Sequence, residues 1–189
     1  MMSEKGWEVH YASMGEEEIL DCNKSFVAPF TRSPFRLSNI TAYRQLKKII
    51  NQENYDIIHT HTPMGSVVTR LAARKARKNG TKVIYTAHGF HFFKGAPLLN
   101  WLVYYPIERF MAHYTDTLIT INQEDYTRAK KKFKTNVIYI PGVGVDPKRF
   151  TPKMTAKQKL ELRKSLDLKK NDFVMIYPAE LNKNKNQTL

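Results

Sequence analysis

A chain of 189 residues with 42% hydrophobic and 12% aromatic residues can bury a core, which excludes a wholly disordered protein. No apolar run approaches the roughly 20 residues of a membrane span; the most apolar stretch, Leu98 to Tyr105, ends at Pro106 and is followed by Glu108 and Arg109. Cys22 is the single cysteine, so no intrachain disulfide can form. Met1 to Gly15 carries acids and no apolar leader, and with the cysteine count this sets a cytoplasmic expectation.

The net charge of +14 is uneven: from Arg128 onward there are 16 basic against 5 acidic residues, and before it 15 against 12. Such an excess suits anionic partners such as phosphates, acidic lipid or nucleic acid, and equally a solvated lysine face.

In chain order, Lys5-Gly6 reads as a helix end, and Trp7 to Ser13 alternates like a strand. Ser25 to Ala28 predicts a short strand, and Pro29 to Pro34 a loop. Ser38 or Asn39 is placed to cap a helix that carries Ile40, Tyr43, Leu46, Ile49 and Ile50 on one face. Ile57 to His61 predicts a strand with a polar tip. Thr62 then caps a helix with Pro63 in its first turn, Val67, Val68, Leu71, Ala72 and Ala76 in its stripe, and basic residues before Asn79-Gly80.

The stretch Lys82 to Lys94, KVIYTAHGFHFFK, is a buried strand running into small residues, a histidine and a glycine. Leu99 to Tyr114 predicts a helix interrupted near Pro106, Asp116 to Ile121 a strand, Asn122 a cap with Glu124 and Asp125 in the first turn, and Asn136 to Ile140 a further strand. Alternating strands and helices with short connections predict an α/β fold, a Rossmann-like parallel sheet with helices on both faces. Beyond Pro141-Gly142, Lys148 to Lys153 reads as linker, Thr155 and Gln158 as a capping box, and Phe173 to Tyr177 as a new buried strand. The expected division is residues 1–141, a linker and helix over 142–172, and the start of a second Rossmann-like domain over 173–189.

Several residues bear on chemistry. Ligands of open parallel sheets bind beyond the carboxyl ends of the strands, which is where His61 and His88 fall. His59 and His61 flank Thr60 and share a strand face, so with His88 and His91 they suggest either a metal cluster or a polar cleft lining. No Asp or Glu follows a later strand as a metal hydrolase needs, so the lining is preferred. His88 itself reads either as a satisfied structural histidine or as a proton-handling group in a cleft. Phe90, Phe92 and Phe93 read as core or as an acceptor wall. Gly142-x-Gly144 is a weak phosphate signal without the G-x-G-x-x-G of a nicotinamide enzyme, and Lys183 and Lys185 sit where a diphosphate could be met. The basic residues lack the aromatic ladder of a nucleic-acid-binding module.

Taken together, Gly6 to Val9, Tyr43 to Lys48, Tyr55 to Pro63, Tyr85 to Phe92, Thr120 to Tyr126, Gly144 to Asp146 with Phe150, and Tyr177 to Gln187 resemble the family 4 glycosyltransferases of the GT-B fold, in their EpsD-like exopolysaccharide and capsule branch. The resemblance implies an acceptor-side N-terminal domain, a donor-side C-terminal domain, and transfer with retention from a nucleotide-sugar to a lipid-linked glycan. It implies no metal and no cofactor. By it, His88 contacts the reacting sugar or acceptor, His61, Thr62, Gly89, Phe90 and His91 belong to the acceptor side, and Gly144 and Lys185 belong to the donor side. It also implies that a first βα unit before Gly6 and most of the C-terminal domain are missing. Glu180 stands where many relatives carry Arg. The chain by itself is therefore expected to be inactive, with a peripheral membrane role permitted by the basic excess and by Leu98 to Phe110.

Overall fold

The computed structural model describes residues 2–15, 22–31, 36–142, 144, 146–151 and 153–179. The chain falls into two compact units, Met1–Val143 and Gly144–Leu189.

The first unit is an α/β structure in which every strand pairs in parallel. Strands β1 (His10–Ser13) and β2 (Lys24–Val27) form one ladder, and β3 (Ile57–Thr60), β4 (Lys82–Ala87), β5 (Thr117–Thr120) and β6 (Asn136–Tyr139) form a second in sequence order. Among the described residues the parallel pairing expected from the sequence is thus present as two ladders. In the larger one His59 pairs with Ile84, Thr86 with Ile119, and Ile119 in turn with Ile138. Val83, Tyr85, Leu118 and Val137 share the opposite, buried face.

Helices α1 (Ser38–Glu53) and α2 (Pro63–Ala72) pack against Ile58 and Val83 through Ala42, Leu46, Ile50, Val68 and Ala72. A second cluster joins Tyr85, Ala87, Leu118 and Val137 to Phe90 and Phe92, with Trp101 and Tyr105 of α4 (Leu98–Met111) and Ala129 of α5 (Gln123–Lys132). The other face of the sheet carries Ile57 and Ile138, both more than a third exposed.

Local details depart from expectation in instructive ways. Neither Ser38 nor Asn39 caps its own helix: Asn39 Oδ1 accepts from Thr31 N at 3.0 Å, so the amide ties the preceding loop down. The helix from Pro63 divides at Ala73, giving α2 and a five-residue α3 (Arg74–Lys78). Past that break, Arg77 forks onto Asp116 with two 3.0 Å bonds. Burial opposes the Asp116 carboxylate, but Arg77 and the Val83 N–H outweigh it and hold its pKa below the usual range.

No interruption occurs at Pro106; α4 runs through it and ends in a single 3-10 turn, Ala112–Tyr114. The proline is on the exposed side, where water can reach the carbonyl that its missing N–H leaves unpaired.

Within the second unit, α6 (Pro147–Phe150) stands in the expected linker, capped by Asp146 Oδ1 on Lys148 N at 2.9 Å. The capping box of Thr155 and Gln158 opens α7 (Ala156–Ser165). The strand expected over Phe173 to Tyr177 is not formed: residues 173–179 are neither helix nor strand, and Phe173 is 91% exposed. A buried strand needs a ladder neighbour and a covering layer, and the described residues of this unit supply two helices and no strand. Lys183, Lys185 and Glu180 lie outside the described residues.

Candidate functional site

Because β3 to β6 are parallel, their carboxyl ends share one edge. There the chain leaves β3 into His61 and Thr62, β4 into His88 and Gly89, and β5 into Asn122. The ring of His61 lies 4.2 Å from that of His59 and 5.6 Å from that of His88, centre to centre. His61 Nδ1 and His88 Nε2 are 3.4 Å apart, at the long end of hydrogen-bonding distance. His59 Nε2 is 2.8 Å from Thr86 Oγ1.

Three imidazoles this close cannot all carry charge. Desolvation first, and then His61 and His88, push the His59 pKa down to about 4. The same causes in the same order, desolvation and then His88, lower that of His61. His59, His61 and His88 are all exposed on this edge, and the lowered pKa of His59 keeps that ring neutral near pH 7. A neutral imidazole offers one donor and one acceptor, the right equipment to orient and deprotonate a hydroxyl.

The loop after β4 is fixed by groups that lie 30 to 36 residues away along the chain. Gly89 takes φ 146°, a left-handed-side value that side chains disfavour, and this turns the chain sharply after His88. Phe90 N then donates to Asp125 Oδ2 at 2.9 Å, and that oxygen also receives Asn122 Nδ2 at 2.7 Å. Arg128 donates to Phe92 O at 2.9 Å and to Glu124 Oε1 at 2.8 Å, and Lys94 N donates to the same oxygen at 2.7 Å. Asn100 Nδ2 reaches His91 O at 2.9 Å. Glu124 and Asp125 read in the sequence as helix-dipole partners; here they are also anchors of the histidine loop. Arg128, whose guanidinium lies 4.7 Å over the Trp101 ring, completes the brace.

Of the expected site residues, His61, Thr62, His88, Gly89 and His91 come together on the exposed edge. His91 stacks on Tyr104 at 4.6 Å. Phe90 is corrected: its side chain is 6% exposed and stacks on Phe92 at 4.7 Å within the core, and its N–H is taken by Asp125. Gly144 belongs to the second unit, and Lys185 lies outside the described residues.

Gly65, which the sequence did not single out, is required for the approach to Thr62, since a Cβ there would collide with the Thr62 hydroxyl. Among the described residues no group of three His, Cys, Asp or Glu side chains is arranged to hold a metal, and His59 already spends Nε2 on Thr86. The hydrolase alternative built on His59, His61 and His88 loses its ligand set. The edge is an open wall rather than a cavity. The best-formed depressions, about 450 and 400 Å³, lie along α5 and between α1 and α2.

Residues 1–122 match the family model of glycosyl transferase 4-like proteins. That match covers more than half of the chain, and the chain belongs to this family. Its relatives include the protein named "Putative glycosyltransferase EpsD" of Bacillus subtilis strain 168, 52% identical over 96% of this chain and 48% of the relative. The UDP-Gal:alpha-D-GlcNAc-diphosphoundecaprenol alpha-1,3-galactosyltransferase of Escherichia coli is 32% identical over 85% of this chain and 41% of the relative. An uncharacterized 41.2 kDa protein in the cps region of Klebsiella pneumoniae is 29% identical over 58% of this chain and 33% of its own length. The chain spans about half the length, or less, of these relatives.

Proposed function

We propose that this chain carries the acceptor side of a retaining glycosyltransferase of bacterial surface-polysaccharide synthesis. The reaction would move a sugar from a nucleotide-sugar to a lipid-linked glycan at the cytoplasmic membrane face. The observation that carries the reading is the row of closely spaced rings, His59, His61 and His88, on the carboxyl edge of a parallel sheet. The family supports the transferase class, and the Escherichia coli relative supports a diphosphate-linked lipid acceptor.

In this reading the exposed His88 imidazole accepts a hydrogen bond from the acceptor hydroxyl that attacks the anomeric carbon. His61, 3.4 Å away, fixes the His88 tautomer. Thr62 and the backbone at Gly89 line the acceptor's approach. His88 orients the nucleophile, and the donor's own diphosphate takes the proton as it leaves. No step needs a metal or a cofactor. The leaving diphosphate calls for cationic stabilisation, a role assigned to Lys185 together with the turn at Gly144. Residues 1–141 form the acceptor domain, 142–172 the connection, and 173–189 the beginning of the donor domain.

The basic excess does not favour a nucleic-acid module, because its lysines and arginines lack an aromatic ladder on which bases could stack. Calorimetric titration of the purified chain tests the proposal. A short-chain lipid-diphosphate N-acetylhexosamine should bind, and a uridine-diphosphate sugar should not. Binding of the nucleotide-sugar alone would overturn the acceptor assignment.

A further inference from the structure

Helix α4 has two apolar faces. Inward, Trp101, Tyr104 and Tyr105 pack on the second core cluster, and Met111 is buried. Outward, Leu98, Leu99, Leu102 and Phe110 are 74%, 68%, 66% and 56% exposed, and Val103 and Ile107 join them at more than a third. A surface helix of a water-soluble protein turns polar residues outward; one that is apolar all round is covered on both sides. Phe93, 47% exposed just before the helix, extends the same kind of surface.

Charge on this helix is sorted by side. Its one acid, Glu108, is turned inward and held by Arg70 at 2.9 Å. Its one base, Arg109, is exposed. At the far end Phe110 meets the edge of the Tyr114 ring at 5.6 Å, and the exposed Arg74 sits 5.7 Å over that ring. At the near end Lys94 is exposed. An apolar strip framed by cations and free of outward acid is the surface that an anionic bilayer attracts and then solvates with its acyl chains. No helix among the described residues is long and apolar enough to cross a membrane, so the contact is interfacial.

We propose that the outward face of α4 docks on the surface of an anionic lipid bilayer and holds the histidine loop beside the lipid headgroups. The link to the loop is direct: Asn100 Nδ2 donates to His91 O at 2.9 Å, and Tyr104 stacks on His91. Docking α4 therefore sets the height of the loop above the membrane. That second consequence rests on the acceptor reading; the docking itself does not.

Sedimentation of the full 189-residue chain with vesicles of phosphatidylethanolamine and phosphatidylglycerol tests the docking. The chain should co-sediment, and pure phosphatidylcholine vesicles should retain it less. The double variant Leu99→Glu with Leu102→Glu should bind at least about tenfold more weakly, since each removes a membrane-buried apolar side chain. Arg109→Glu, a change at one exposed position, should weaken binding severalfold and serves as the second variant where the double one fails to fold. His88→Ala should bind vesicles unchanged. Absence of binding to anionic vesicles overturns the proposal. So does full retention of binding by folded Leu99→Glu, Leu102→Glu protein, or a dimer that the same variant dissolves without any vesicle effect. Loss of soluble-acceptor binding with vesicle docking intact would sink the acceptor reading alone.

Discussion

His59, exposed and held by Thr86 through Nε2, is the histidine of the row with the largest downward shift. Its folded pKa, about 4, lies below the ordinary histidine value of 6.5. Between those values the unfolded chain binds the proton that the folded chain refuses, so stability falls as pH drops from about 6.5 towards 4. Denaturant unfolding of the chain at a series of pH values should show that slope, and His59→Gln should flatten it. An unchanged slope would place the acid sensitivity elsewhere. A different residue-scale prediction concerns Glu108, which accepts from Arg70 at 2.9 Å and from the Tyr85 hydroxyl at 3.3 Å. Glu108→Gln leaves Arg70 buried without its counter-charge and should cost about 3 kcal/mol of unfolding free energy. A loss below about 1 kcal/mol would mean that water reaches Arg70.

At the scale of elements, the histidine loop is as well placed as α5 makes it. Asp125→Ala strips the Phe90 N–H of its acceptor and should cost about 1–3 kcal/mol. Amide hydrogen exchange at Phe90 should quicken in that variant, with the amides of β4 unaffected. Quickening throughout the sheet would show that the aspartate supports the fold as a whole.

What could be read from the sequence at this scale follows a physical divide. The strands β3 to β6 were legible because a strand buried in a parallel sheet is an apolar run, and the caps at Asn122 and Thr155 because capping is local chemistry. The brace of Asp125 and Arg128 on residues 90 to 92 was not legible, since its partners stand about 35 residues apart and no periodicity links them. Pro106 misled for a related reason: the rule that it breaks a helix assumes a buried carbonyl, and here the carbonyl faces water. Phe90 reads from the sequence as core or acceptor wall, and the resemblance puts it on the acceptor side; the turn at Gly89 that sends its ring into the core appears only in three dimensions.

For the whole molecule, two separate parallel ladders and an unstructured 173–179 segment mark where the sequence pattern outran the pairing available to it. An apolar run such as Phe173 to Tyr177 states a preference for burial, but a ladder needs a neighbour. The reading of the chain as an acceptor-side half predicts that the purified 189 residues transfer no sugar from a nucleotide-sugar to a lipid-diphosphate acceptor. Radiolabel appearing in the lipid fraction would contradict it.

The central claim, that the carboxyl edge of the sheet receives the acceptor at His88, can be read most directly from the histidines themselves. The chain has 6, and two of them are internal controls: His10 on β1 and His113, whose ring bonds to Phe110 O beyond the end of α4. Long-range proton–nitrogen spectra of the imidazoles, recorded while a soluble lipid-diphosphate N-acetylhexosamine is added, report each ring separately. The account predicts that the His61 and His88 signals move together and saturate while those of His10 and His113 stay in place. Saturable movement of His10 or His113 with His61 and His88 unmoved would contradict it.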